Sequence, residues 1–298
     1  MLGLAAVLFR VFPGTCAEIS WQHLDRGLDL LVHQSAGTRQ AMPDLVLLRI
    51  DPREHEFHLL TAGEEQGQPL GIDEWVRSHG LVAAINASMY WEDQSTSTGY
   101  MRNYGHLNNS RVHPWFGAFF VANPKTAGRP AARVIDRKAA EDWPEVLEGY
   151  ETVVQNYRII GSDGSNAWLE NSKRFSIAAV GEDSRGNILF ILSLSPRQVR
   201  DLGTYLLDLP LDMRTTMYVE GGASASLYVK AGDFEAGWAG LDELSFWPTA
   251  HHSYRAVPNV IGILKKNVSP GVDPEGDPDA DPDEEGNPPG WDTEKSNQ

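Results

Sequence analysis

Cysteine is all but missing: the 298-residue chain holds one, Cys16. A single thiol excludes an internal disulfide, a thiolate metal cluster and a paired redox motif. Basic residues are scarce as well, with 25 lysines and arginines against 41 aspartates and glutamates and a net charge of −16. Nine of those charges sit in residues 267–298, where ten acidic side chains accompany only Lys295. The remaining body is mildly acidic. It offers no basic face for a phosphate backbone, which argues against a nucleic-acid partner, and none for an anionic membrane surface. No apolar run is long enough to span a bilayer stably. Walker and Rossmann glycine patterns and internal repeats are absent too.

What is present is ample core material: 41% of the residues are hydrophobic and nine are tryptophan. The N-terminus, "MLGLAAVLFRVFPGTCAEISW", is a short apolar stretch followed by small residues around Ala17. It resembles an export signal cleaved near Ala17, so the protein is expected to be exported, periplasmic or extracellular. Cys16 would leave with that segment, or carry a lipid if "PGTC" served as a lipobox. Residues 1–17 are therefore read as signal-like, 18–266 as one folded domain and 267–298 as an acidic, proline-rich tail unable to fold alone. Alternating aspartates in the tail could chelate calcium. No other cofactor or metal is expected.

Period-two spacing in "ISWQHLDRGLDLLVHQ" and "DLVLLRIDPREHEFHLLTAG" predicts a β-rich start. "GIDEWVRSHG" has helical spacing and stops at Gly80, and "LVAAINASMY" is a strand ending at Asn86. Residues 91–116, polar and holding His106 and His113, read as a long loop. "GAFFVA" and "ETVVQNYRII" read as strands, with "KAAEDWPEVLEGY" a helix between them. "KRFSIAAVGED" and "ILFILSLS" form a hairpin about Gly186 and Asn187. A helix capped by Ser195 follows, then "TTMYVE" and finally "NVIGILKK". The mixture lacks a βαβ rhythm, so the fold class expected is α+β: one domain with a mixed β-sheet core flanked by helices.

The stretch "TTMYVEGGASASLYV" interrupts two strands with Glu220, Gly221, Gly222 and four small residues. A carboxylate at a sheet edge, beside backbone without Cβ atoms, lets a ligand approach closely, and successive N–H groups there can cradle an anion. A tight hairpin with a solvated Glu220 is the equally weighted alternative. Asn86, Gln155 with Asn156, and Arg174 with Asp183 likewise mark strand ends. Taken singly, each is a turn, ladder or hairpin residue.

In this order the segments resemble the phosphodiester glycosidase family across residues 80–265. "INASMYW" stands where the family has Asn-Gly-Gly-Phe-Phe, keeping Asn86 and replacing the glycines with Ala87 and Ser88. "TGYMRNYG" and "LNNSRVHPWFGAFF" are similar to its Gly, Leu-Asn and Gly-x-Phe-Phe elements at Gly99, Leu107, Asn108 and Gly117. "VQNYRIIGSDG" matches its glutamine strand and "KRFSIAAVGED" its arginine strand. "YVEGGASASLYV" matches its closing acid-Gly-Gly-x-Ser element, with Glu220 for the usual aspartate and Ala223 for a third glycine.

The resemblance implies hydrolysis of a sugar-1-phosphate diester in a carbohydrate phosphodiester, in a setting such as exopolysaccharide. On that implication Glu220 is the base or nucleophile, Asp183 a second carboxylate and Arg174 the phosphate grip. Asn86, Asn108 and Gln155 would bind sugar, with Gly221, Gly222 and Ser224 as anion cradle. His106 or His113 would assist in proton transfer. Tyr90, Trp91 and Trp115 could stack on a sugar face. The altered "INAS" and "GGAS" turns suggest the alternative of an exported glycan- or phosphate-binding module without turnover. A calcium-dependent hydrolase built on loop carboxylates is a third reading.

Overall fold

Four strands open the computed structural model, which describes residues 19–34, 43–169, 172–241 and 254–266. They are β1 (Gln22–Asp25), β2 (Leu28–His33), β3 (Leu45–Ile50) and β4 (His55–Thr61), the β-rich start that the alternation predicts. The signal-like segment with Cys16 and the acidic tail with its calcium-type spacing lie outside the described residues, as do His251 and His252. The described residues all belong to one compact unit, Met1–Lys266.

Helix α1 (Ile72–Ser78) forms where Ile72, Trp75 and Val76 fall on one buried face, and Glu74 closes its first turn by accepting the Gly71 N–H at 2.9 Å. Strand β5 (Ala83–Asn86) is buried at all four positions. The stretch expected as a loop carries β6 (Met101–Asn103) and β7 (His106–Asn109), short strands whose polar composition hid them. Next come β8 (Ala118–Pro124), β9 (Ala132–Asp136) and helix α2 (Trp143–Glu148). "ETVVQNYRII" is two strands, β10 (Tyr150–Asn156) and β11 (Arg158–Ile160), which belong to different sheets.

The hairpin pair β12 (Phe175–Asp183) and β13 (Ile188–Arg197) extends further than expected. Ser195 does not cap a helix. It lies within β13, where its hydroxyl donates to Asp44 Oδ1, and α3 (Val199–Asp208) starts four residues later with Gln198 at its N-cap. The last strands are β14 (Met213–Gly221), β15 (Ser226–Ala231), β16 (Phe234–Ala239) and β17 (Asn259–Lys265).

The strands form three sheets, in the orders β1-β2-β3-β13-β12-β14-β11, β7-β6-β10-β8-β9 and β16-β15-β5-β17-β4. Every ladder pair among the described residues is antiparallel, so the expected mixed sheet is replaced by antiparallel ones. Hairpin connections make this possible, since parallel pairing would need long crossovers. One central core draws side chains from all three sheets. Its focus is Phe57 of β4, whose ring lies 5.6 Å from Phe120 of β8 and 6.3 Å from Phe190 of β13. The helices cover outer faces: α1 over the third sheet, α2 over the second and α3 over the first.

Candidate active site

The glycine break is the point where the chain leaves one sheet for another. β14 pairs with β12, Ala178 opposite Glu220 and Ile177 opposite Gly221, while β15 pairs with β5, Leu227 opposite Ile85. Between them Gly222–Ser224 makes a single 3₁₀ turn. Each glycine has its own reason. A Cβ on Gly221 would come within 2.6 Å of both the Phe175 ring and the Tyr218 hydroxyl, and Gly222 has φ +68°, in the left-handed region.

Asn86, at the end of β5, stitches the turn to the neighbouring sheet. Its Nδ2 donates to the Ser224 carbonyl at 2.6 Å and its Oδ1 accepts the Ser226 N–H at 2.7 Å. Both groups are buried, so the amide replaces water that cannot reach them. The Ser224 hydroxyl lies 3.4 Å from the Tyr90 hydroxyl.

Glu220 therefore sits at the mouth of a rigid junction. Burial pushes its carboxyl pKa up to about 7, against the opposing pull of the Gly221 N–H, 2.8 Å from Oε1, and of the positive charge of Arg255. Beside it, burial raises the Tyr218 hydroxyl well above its usual range, with further contributions from Glu220 and Tyr157. Tyr218 starts a row of rings: Trp168 at 5.4 Å, then Tyr157 5.2 Å further on, Phe116 at 4.4 Å and His113 stacked at 3.9 Å. Burial, with the nearby Arg111 charge, lowers the His113 pKa. The arrangement holds a carboxyl that exchanges its proton near neutral pH, beside a hydroxyl that keeps its own.

A family description for phosphodiester glycosidases matches residues 79–264, from β5 through β17 and so across every element of this junction. The chain belongs to the phosphodiester glycosidase family. No curated protein sequence matches it. Three of the solved structures that share its fold are the following. The catalytic domain of zebrafish N-acetylglucosamine-1-phosphodiester alpha-N-acetylglucosaminidase, auto-inhibited by its pro-peptide, aligns with TM-score 0.53 and 12% identity over 80% of this chain and 89% of that one. A hypothetical protein from Synechocystis gives TM-score 0.57 and 13% identity over 85% of this chain and 64% of its own. A Burkholderia pseudomallei protein described as exported gives TM-score 0.51 and 10% identity, over 74% of this chain and 73% of its own.

Within this family member, several residues expected at the site are structural. Asp183 is the clearest correction. It lies five residues along β12 from Ala178, the partner of Glu220, roughly 16 Å away along the strand. There its carboxylate accepts the N–H groups of Arg185 and Asn187, both at 2.9 Å, and the Asn187 side chain at 2.8 Å. It caps a hairpin.

Gln155 is fully buried, with Nε2 donating to the carbonyls of His113 and Phe116 and Oε1 accepting from the N–H groups of Tyr100 and His113. Asn108 likewise holds backbone, accepting from Ser97 N–H and donating to the Ser95 carbonyl. His106 Nε2 is buried against that same stretch, near Gly63 and beside Asn108, and is not part of the aromatic row. The Gly221 N–H is directed at Glu220 and not into an anion cradle.

Arg174 is exposed just before β12, at the same end of the sheet as Glu220, and its charge acts on Arg197. The guanidinium whose charge reaches Glu220 is Arg255, which no local pattern singles out. Tyr218, Tyr157 and Trp168 were also missed; Tyr157 falls between β10 and β11, where no strand alternation applies. Among the described residues no group of three or more His, Cys, Asp and Glu side chains is placed to hold a metal ion, and no helix is long and apolar enough to cross a membrane.

Proposed function

We propose that this chain hydrolyses a glycosyl phosphodiester, releasing a sugar from a phosphorylated exported glycan or envelope polymer. The single observation that carries the reading is Glu220: a carboxyl tuned to about pH 7 at the junction that the family's ordered segments build.

The chemistry suits one carboxylate. The leaving group is a phosphate monoester, far more acidic than a sugar hydroxyl, so its departure needs no general acid. That removes the need for a second carboxylate, the part expected of Asp183. Ionised Glu220 takes a proton from water as the water oxygen bonds to the anomeric carbon. The bond from that carbon to the phosphate oxygen breaks, and its electron pair leaves with the phosphate. The free sugar and a phosphate monoester result. Arg255, with Arg174 at the same sheet end, supplies positive charge for the departing phosphate. The Tyr218 hydroxyl, protonated at all working pH values, is a fixed donor beside the carboxylate.

Turnover of a panel of α-linked sugar-1-phosphate diesters in ¹⁸O-labelled water tests the reading. Label in the freed sugar is the expected result. Label in the phosphate means P–O cleavage and overturns it. Binding of the diesters without turnover, unchanged by Glu220→Gln, favours the alternative of a non-catalytic binding module.

A further inference from the structure

At the opposite end of β12 from the partners of Glu220 and Gly221, three arginines from separate parts of the chain meet around a hollow of about 240 Å³. Arg49 comes from β3, Arg53 from the turn between β3 and β4, and Arg185 from the turn between β12 and β13. The pairing of β3 with β13, Ile50 opposite Ile188, brings the two turns side by side. Asp29 and Asp51 share the lining. The volume lies below the roughly 300 Å³ at which sites for drug-sized ligands begin, so the occupant is small.

Two of the guanidiniums are held in place by the protein. Arg49 donates to Asp29 Oδ2 through Nε at 3.2 Å and Nη2 at 2.8 Å, and the Trp21 ring lies 4.2 Å from its guanidinium carbon. Arg53 grips Asp51 side-on, through Nε at 3.0 Å and Nη2 at 2.7 Å. A fork made through Nε and Nη2 leaves Nη1 on the opposite edge of the plane, so each arginine keeps donors for a ligand. Arg185 has no carboxylate partner among the described residues; only its backbone N–H is engaged, by Asp183. Solvent reaches all three: Arg185 is exposed, and the Arg49 and Arg53 side chains are 28% and 85% exposed.

Three guanidiniums against two carboxylates leave the lining one positive charge in excess, in a chain whose net charge is −16. The next carboxylate, Asp183, is buried under the turn and bonded to its N–H groups. One hollow of this size is not the extended basic face that a nucleic-acid backbone requires, so it suits a lone anionic group.

We propose that this hollow is an anion site, separate from the Glu220 junction, and that it takes a terminal phosphoryl group. A carboxylate has two oxygens and is satisfied by one guanidinium fork. A terminal phosphoryl group has three oxygens and a charge of about −1.5 to −2 at neutral pH, and so meets donors arriving from three sides. Arginines already fixed by Asp29 and Asp51 lose little freedom when it binds. The group can arrive as free phosphate or on a sugar. Hydrolysis as proposed above leaves such a group on one product, but the site stands without that reading and its test involves no turnover.

Calorimetric titration of the full chain at low ionic strength, where exposed charges are least screened, tests the site with inorganic phosphate, glucose 6-phosphate, acetate and glucose as probes. Saturable binding of inorganic phosphate or glucose 6-phosphate is expected, with acetate weaker and glucose silent. Arg185→Ala and Arg53→Ala should each weaken it about tenfold, the scale of one charge-assisted hydrogen bond. The Arg185 side chain carries no bond of the fold, so its loss leaves folding intact, and Arg53→Ala is an independent second variant. Tighter binding of glucose 6-phosphate assigns the site to a phosphorylated sugar and the reverse order to free phosphate; either order upholds it. Absence of saturable binding by both phosphates overturns the proposal, as does acetate binding as tightly as they do. Phosphate binding that both variants leave within about twofold of the parent lies elsewhere on the molecule and overturns it too.

Discussion

Replacing Glu220 by Gln should make the protein more stable at alkaline pH while abolishing turnover. The carboxyl has an ordinary value of 4.5 and is raised to about 7 in the fold, chiefly by burial. Between those values the folded state holds a proton that the unfolded chain has released. Stability is therefore fully present below pH 4.5 and declines as pH rises through 7. The gap corresponds to about 3 kcal/mol at about 1.4 kcal/mol per pH unit, an upper bound because part of Glu220 faces solvent. Glutamine keeps an oxygen for the Gly221 N–H and never ionises. The difference in unfolding free energy between Glu220→Gln and the parent should grow by up to about 3 kcal/mol from pH 4.5 to pH 8.5. For a domain of this size that corresponds to up to about 10 °C in Tm. Thermal unfolding of both proteins across that range measures it. A difference that stays flat with pH would show that Glu220 titrates as an ordinary surface carboxylate, and the argument for its role would fail.

Other variants separate site from scaffold. Phe57→Ala, removing the ring at which the three sheets meet, should cost about 3–5 kcal/mol, read from denaturant midpoints. Asn86→Ala leaves the Ser224 carbonyl and Ser226 N–H buried and unpaired, which should cost about 2 kcal/mol or more and lower kcat/KM with it. Asp183→Ala should lower stability through its lost hairpin bonds and keep kcat/KM within about threefold of the parent, as expected of a residue outside the chemistry. Turnover as low as that of Glu220→Gln would restore Asp183 to the site. Gly221→Ala, which drives a methyl group into Phe175 and Tyr218, should reduce turnover even where the protein remains folded.

Strand positions were readable wherever one face is buried, because alternation is then imposed by the core. β4, β12 and β17 sit where "HEFHLLT", "FSIAAVGED" and "NVIGILK" place them. β6 and β7 were hidden because they are short and polar; β6 gains its pairing from β10, and β7 from β6. The break inside "VVQNYRII" was equally invisible: Asn156 turns the chain by accepting its neighbour's N–H and donating to the Val219 carbonyl, a contact 63 residues away. Local chemistry singled out the junction carboxylate as a candidate, because an acid before two glycines at a strand end lets a ligand approach closely, with a solvated hairpin acid weighted equally. The partners of the polar residues were not. Asn86, Gln155 and Asn108 read as sugar-binding amides, yet all three hold main chain, because a junction between three sheets leaves more buried backbone groups to satisfy than the ladders can. Arg255 and Trp168 come close to Glu220 and Tyr218 only through long-range pairing, which no local pattern records.

The central claim is that the Glu220 carboxyl, in its ionised form, draws the proton from the attacking water. The most direct test is the pH dependence of kcat/KM for a hydrolysed sugar-1-phosphate diester, with Glu220→Gln measured alongside. The account predicts a rate that rises through an apparent pKa near 7 and levels above it, and a variant that has lost both the rate and that limb. A profile flat across neutral pH, or a limb that survives in Glu220→Gln, would contradict it.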